Sequence, residues 1–437
     1  LLAAPPAAAG SEAVGWLEEY LRIDTSNPPG NEHRAAGLLR RILHREGIAT
    51  QLIVSSTGRA NLLARLQAEE PAEGALLLLH HMDVVAPGEG WSREPFDAGS
   101  GDGVLWGRGA LDAKSLGIAH LAAFLDLARS GARRTREVIF LAVADEESGG
   151  GDGAAWLLQN RPQEFEDVAA VLNEGGHNRA YRGRLSWWGI EVTQKRPLWL
   201  RLTTRGRGGH GSVLNLHTAP HRLVRALSAV LERPLELRVT DAARSYFEAI
   251  EPLESTAFRK MVADLDRIVA DEEPGRRLLP GIPSYLADSI QVNVIEAGSR
   301  INTAPERAEA RIDIRLLPDT DGDALLAELE RLVGDDAEIE VLLASPPAEP
   351  SPTDHPVFRC VQEALEPVAP VVPAFIPGVT DSRHFRLRGI PAYGFSPFVL
   401  DSTDLRGIHG VDEKIPIAAF EDGVETMKRV VRACATG

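Results

Sequence analysis

Three short apolar runs constrain the fold of this chain more than any other feature: ALLLLHH (75–81), REVIFLAVA (136–144) and DVAAVLNE (167–174). Each has the length of a strand, and none shows the polar alternation of a strand with one wet face. They read as central strands covered on both sides. Between the first two lies KSLGIAHLAAFLDLARSG, a helix stopped by Gly131. Strand, helix and strand in that order build an α/β sheet that is mainly parallel. TQLIVSS and NLLARL supply further strands. SEAVGWLEEYLRID reads as a helix with Ser11 as its N-cap, and NEHRAAGLLRRILHREG as a second helix ended by Gly47.

The pattern changes after about residue 193. LWLRLTTRG, HRLVRALSAVLER, SIQVNVIEAG, AEARIDIRLL, DALLAELERLVG and AEIEVLLA read as β-α-β-β-α-β, the order of a small α+β, ferredoxin-like unit. A polar, partly helical stretch at about 240–285 interrupts it. PPAEPSPTDHP marks the return to the first pattern. The expected organisation is one domain inserted in another: 1–193 and 346–437 form the first, and 194–345 the insert.

Composition narrows the function classes. The 437 residues carry 47 Lys+Arg against 63 Asp+Glu, a formal charge of −16. Nucleic-acid binding needs clustered positive charge, so it is not expected. No run approaches a membrane span. Cys360 and Cys434 form no C-x-x-C; buried free thiols are their expected state, with a disulfide between them the alternative that the sequence does not decide. The start, LLAAPPAAAG, reads as the remnant of a secretory signal, which favours an exported, periplasmic-type protein.

The chemistry concentrates where strands end. Residues i and i+2 of a strand share a face, so His81 and Asp83 point together and His80 points away. Ligand sites of open α/β sheets lie outside the carboxyl ends of their strands. Asp112 stands in a glycine-containing turn, GRGALDAK, before a helix. Asp145, Glu146 and Glu147 follow one strand and Glu174 another, and His409 lies in GIHGVDEKIP. So many acids at one sheet edge need cations to be tolerable. Mixed imidazole and carboxylate ligation suits zinc or a similar divalent metal. Of the adjacent Glu146 and Glu147, one can bind metal and the other take a proton from water. GRGGHG (206–211) fits a dinucleotide fingerprint with Glu232 as the ribose acid, but LNLHTAP separates it from the next helix.

HMDVV, WGRGALDAK, ADEESGG, NEGG, GRGGHGS, NTAPERAEARIDIR, TDSRHFR and HGVDEKIP occur in this order along nearly the whole chain. The chain thereby resembles the di-zinc metallopeptidase family of acetylornithine deacetylase, succinyl-diaminopimelate desuccinylase, aminoacylase and carboxypeptidase S. Its PGEGWSREPFDA and LWGRGALDAK stretches are most similar to the carboxypeptidase S and N-acyl amino acid hydrolase branch.

The resemblance implies a parallel-sheet catalytic domain, an inserted lid or dimerisation domain, and two zinc ions per subunit, with cobalt or manganese as substitutes. It implies His81 and Glu174 on one ion, Glu147 and His409 on the other, Asp112 between them, Asp83 orienting His81, and Glu146 as general base. It also implies that His210 reaches a neighbouring subunit's scissile carbonyl in a homodimer. Asn302 would lie near the same substrate region, and Arg383 would receive the substrate carboxylate.

The expected activity is hydrolysis of an amide bond beside a free carboxylate, in a small peptide or an N-acyl amino acid. Exopeptidase and aminoacylase (hydrolase or synthase) are not separated at this stage. A non-catalytic metal-binding relative is the remote alternative, disfavoured because Glu146 and all five ligand positions are present. Trp187, Trp188 and Phe395 are candidate pocket walls or plain packing.

Overall fold

The computed structural model describes residues 11–69, 73–176, 178–271 and 277–436. The LLAAPPAAAG start and part of the 240–285 stretch (272–276) lie outside the described residues. The chain divides into two compact units. The first comprises Leu1–Val192, Glu349–Ala374 and Thr380–Gly437, and the second Thr193–Ala348 with Phe375–Val379.

Among the described residues, the first unit is built on a nine-stranded sheet. Its order runs Thr50–Val54, Ala60–Leu66, Arg136–Val143, Glu73–His81, Val168–Asn173, Ala392–Gly394, Arg184–Gln194, Val371–Ile376, and the ninth strand, Arg179–Tyr181, pairs with Arg184–Gln194 off this path. The strands Arg136–Val143, Glu73–His81, Val168–Asn173 and Ala392–Gly394 pair in parallel, and antiparallel strands flank them. Alternation sends one strand into two cores. Leu76 and Leu78 pack with the helices Lys114–Ser130 and Ile417–Thr436. Leu77 and Leu79 pack on the opposite face with Leu157, Phe165 and Phe385. Each fully buried leucine contributes about 1.5–3 kcal/mol, which is why the run is apolar at every position. Ser11 does precede the first helix, Glu12–Leu21, but its side chain makes no capping bond.

The second unit has a four-stranded antiparallel sheet in the order Ser289–Ala297, Arg307–Leu316, Arg196–Arg205, Glu338–Ala344. That order is the ferredoxin-like one. Leu198, Leu200 and Leu202 meet Ile312 and Ile314, and the helices Ala219–Leu231 and Gly322–Val333 close this core with Leu223, Leu227, Leu325 and Leu329. Thr218 and Asp321 cap the two helices by accepting the N–H groups of His221 and Ala324. The interrupting stretch forms short helices around an aromatic cluster. Tyr246, Phe247, Phe258 and Tyr285 have ring centroids 5.4–5.9 Å apart, and Phe375 lies 5.7 Å from Tyr285. That contact explains why 375–379 belongs to this unit and not to the flanking sequence.

The free-thiol expectation is corrected by the structure. Cys360 and Cys434 form a disulfide, with Cα atoms 5.3 Å apart. The helices Pro356–Leu365 and Ile417–Thr436 bring the two cysteines together across 74 residues of sequence. Crosslinks of this kind persist in oxidising compartments. Trp187, Trp188 and Phe395 are all buried, with Phe395 5.8 Å from Trp188, and are packing residues.

Candidate metal centre

Strand alternation separates the histidine doublet. His80 turns into the helix-covered core, where its Nε2 is 3.3 Å from the Tyr20 hydroxyl and its ring 5.3 Å from that of Phe140. His81, at the last position of the same strand, turns the other way. Its Nε2 lies 3.1 Å from Asp112 Oδ1 and 3.6 Å from Glu174 Oε2. Asp112 stands just before the helix Lys114–Ser130, and Glu174 just after the strand Val168–Asn173. His409, on the loop after Leu405–Gly407, places Nε2 3.1 Å from Asp112 Oδ2 and 3.3 Å from Glu147 Oε2.

One oxygen of Asp112 therefore faces each imidazole. Tetrahedral ligands at about 2.0–2.1 Å from one zinc are about 3.3 Å from each other. The separations across this cluster match the edges of two such polyhedra sharing Asp112. Donor atoms of His81, Asp112 and Glu147 lie within 4.8 Å of one another, as do those of His81, Glu146 and Glu174. One oxygen of Glu147 is buried without a hydrogen-bond partner, as a ligand atom awaiting a cation would be. The residues present fit a pair of divalent ions.

The electrostatics agree with that fit. Burial pushes Glu146 well above the usual carboxylate range, and the charge of Glu174 adds to the effect. Burial lifts Glu174 to about 7 and raises Glu147 as well. Hydrogen bonds to Asp112 and Glu147 lift His409 to about 10. Burial alone would depress His81, but Glu174, Asp112 and Asp83 together push it well up. Crowded negative charge of this kind favours cations, and divalent ions held here would take the place of protons.

Asp83 contacts both His81 and the turn that follows the neighbouring strand. The ring Nδ1 of His81 lies 2.8 Å from the main-chain oxygen of Asp83 and 3.6 Å from its carboxylate. Donation from Nδ1 to that carbonyl leaves the Nε2 lone pair free to ligate. The Asp83 carboxylate instead accepts the backbone N–H groups of Glu146 and Glu147 at 3.1 and 3.2 Å. It thus fixes the turn, Glu146–Ser148, that carries Glu146 and Glu147.

Sequence reading missed Asn27, whose amide donates to Asp83 Oδ2 at 2.8 Å and to Asp145 Oδ1 at 3.0 Å. One neutral amide keeps these two buried acids apart, and Arg59 adds a 3.2 Å ion pair to Asp145. No periodicity marks Asn27; its position in SNPPG, between two helices, was the available signal. Glu413, Arg108 and Asp381 were also missed, although each sits in a motif quoted above. Among the described residues, neither oxygen of the buried Asp381 has a hydrogen bond. Gly150 packs so closely that an added Cβ would lie 2.6 Å from Asp381 Oδ1.

Arg383 is the residue expected to receive the substrate carboxylate. Its side chain is buried, and its two terminal nitrogens donate to the carbonyls of Thr380 and Gly149 at 2.9 and 2.8 Å. These bonds brace the turn after Glu147, and among the described residues the buried Nε has no hydrogen-bond partner. His210 and Asn302 belong to the second unit. His210 pairs with Thr303 in a two-stranded sheet, and Gly211 N–H donates to Asn302 O at 2.9 Å, so both residues stand exposed on neighbouring segments that are distant in sequence. Ser212 N–H donates to His210 Nδ1 at 3.2 Å, which leaves the ring proton on Nε2.

Two imidazoles and four acids gathered near the strand ends of an α/β sheet define a candidate metal centre. The chain belongs to Peptidase family M20/M25/M40, whose profile matches residues 77–433. It is a hydrolase of amide bonds. The chain is similar to aminoacylase-1 of Pongo abelii, at 27% identity over 434 residues, covering 97% of this chain and 95% of the relative. It is 26% identical over 393 residues to the human N-fatty-acyl-amino acid synthase/hydrolase PM20D1, covering 86% and 77%. The M20 family metallo-carboxypeptidase Sso-CP2 from Sulfolobus solfataricus shares the fold with a TM-score of 0.75 at 18% identity, covering 97% and 99%.

Proposed function

We propose that the protein hydrolyses N-acyl amino acids, cutting the amide next to a free carboxylate with two zinc ions. The observation that carries the reaction type is Asp112, with one oxygen 3.1 Å from each of two imidazoles. The acyl amino acid reading draws support from the similarity to aminoacylase-1 over 97% of the chain. His81, Glu174 and Asp112 would hold one ion, and Asp112, Glu147 and His409 the other. When bound, such ions supply Lewis acidity and lower the pKa of water held at the site.

The chain's own residues do the rest. Glu146 takes the proton of the attacking water and returns it to the leaving amine. Asp83 and Asn27 hold the Glu146 turn in place. A panel of N-acyl amino acids and dipeptides tests the substrate, with added zinc and then with chelator. N-acyl amino acids should be turned over fastest, and chelation should abolish the rate. Faster cleavage of dipeptides would move the reading to an exopeptidase, and activity surviving metal removal would sink the mechanism.

The proposal includes a homodimer in which His210 of one copy donates Nε2–H to the scissile carbonyl oxygen bound by another, with Asn302 beside it. Its support is the resemblance in GRGGHGS and RINTAP, and the exposure of both residues side by side on two paired segments. Mixing inactive His210→Ala with inactive Glu146→Gln should restore about a quarter of the wild-type rate on statistical exchange of subunits. No recovery after exchange has been demonstrated, or full activity in a strict monomer, would remove the partner's role.

A further inference from the structure

The two ion positions are supported by different parts of the chain. His81 and Glu174 stand at the ends of neighbouring parallel strands, Glu73–His81 and Val168–Asn173, locked by the main sheet. Asp112 and His409 stand on loops. His409 is half exposed and adopts a left-handed backbone, φ 56°, that a non-glycine residue holds only when its surroundings impose it.

What joins these two loops is Glu413. Its side chain is fully buried. Oε1 accepts the backbone N–H of Leu111 at 2.6 Å and of Asp112 at 3.2 Å. Oε2 accepts the N–H of Gly109 at 3.0 Å and Nη1 of Arg108 at 2.7 Å. The main chain of Glu413 adds a bond from Gly107 N–H at 3.0 Å. Arg108 completes the tie from the other side, its Nη2 donating to Gly410 O, next to His409, at 2.7 Å. A carboxylate with four donors around it is satisfied in full. Its contacts run from one ligand-bearing loop to the other and to nothing else in the centre.

We propose that Glu413 is a positioning residue that sets the separation of Asp112 and His409, and through it the affinity of the His409-side ion in preference to the His81-side ion. The inference rests on the two-ion reading above. An ion held by His409, Asp112 and Glu147 takes two of its ligands from the tied loops. The other ion takes one from them and two from the sheet. Loosening the tie therefore strikes the first position harder.

The experiment is a calorimetric titration of chelator-stripped protein with zinc ion alone, comparing wild type, Glu413→Gln, His409→Ala and the double variant, with a thermal melt to check folding. Gln keeps the shape but points an amide at groups that already donate. The wild type should show two binding steps. In Glu413→Gln one step should stay within about threefold of wild type and the other weaken by about 10–100-fold, the range seen when groups behind metal ligands are removed. His409→Ala should lose that same weakened step, and adding Glu413→Gln to it should change the remaining step by less than about threefold. Both steps unchanged in Glu413→Gln, or both weakened alike, would overturn the inference while leaving the two-ion reading intact. A single step in the wild type would end the two-ion reading and this inference with it. Should the amide variant not fold, Glu413→Asp retains the charge for Arg108 but withdraws it by one methylene, and the same selective loss is expected.

Discussion

Glu146→Gln is expected to retain both ions and to lose turnover by about 10²–10⁴-fold, the usual worth of a positioned general base. The amide matches the carboxylate in shape but cannot accept a proton. Glu146 and Glu147 are neighbours on one short turn, and the geometry separates them. Glu147 lies 3.3 Å from His409 Nε2, among the groups proposed to hold an ion. Glu146 has no such ion pair among the described residues, although its carboxylate lies within 4.8 Å of the donor atoms of His81 and Glu174. Burial and the charge of Glu174 raise its proton affinity, which suits a base more than a free ligand. Metal content and kcat measured on the same sample decide the matter. Loss of an ion would make Glu146 a ligand, and near-normal turnover would remove it from the chemistry.

Asp112→Asn carries the other large expected effect. The aspartate offers one oxygen to each side of the centre, 3.1 Å from His81 Nε2 and 3.1 Å from His409 Nε2. Asparagine keeps one acceptor and turns a donor toward the second position, where a cation cannot use it. The variant should bind fewer than two zinc ions after dialysis and lose at least about 10²-fold in kcat, because both roles of a two-ion site depend on the shared ligand. The loop itself should hold, since Glu413 grips the backbone N–H of Asp112 and not its side chain. Metal analysis gives the clearest reading. Two tightly bound ions in Asp112→Asn would show that this carboxylate does not join the two positions.

Much of this centre was legible because its parts are local. A strand's alternation assigns His80 and His81 to opposite faces whatever else the chain does. Residues that follow a buried parallel strand must emerge at its carboxyl end, so Asp83, Glu146, Glu147 and Glu174 were bound to meet. The ferredoxin-like order of the second unit followed from the same kind of counting. The contacts that hold the centre were not local. Glu413 and Arg108 are 305 residues apart, and Asn27 and Asp145 are 118 apart. No spacing rule pairs such residues. Cys360 and Cys434 each looked like a helix-face thiol, and only the packing of two helices brought their Cα atoms to 5.3 Å. No spacing in the sequence announced the two bonds of Arg383 to backbone carbonyls.

The sequence by itself determined the layered sheet, the strand ends that carry the acids, and the face on which His81 lies. Each of these depends on side-chain periodicity and on short runs that must be buried. Tertiary structure alone decided which oxygen of Asp112 meets which imidazole, that Asp83 serves the Glu146 turn with its carboxylate and His81 with its carbonyl, and that Glu413 ties two loops. Hydrogen bonds are directional and short, and those that hold this centre join groups that only the closed chain brings within 3.3 Å of each other.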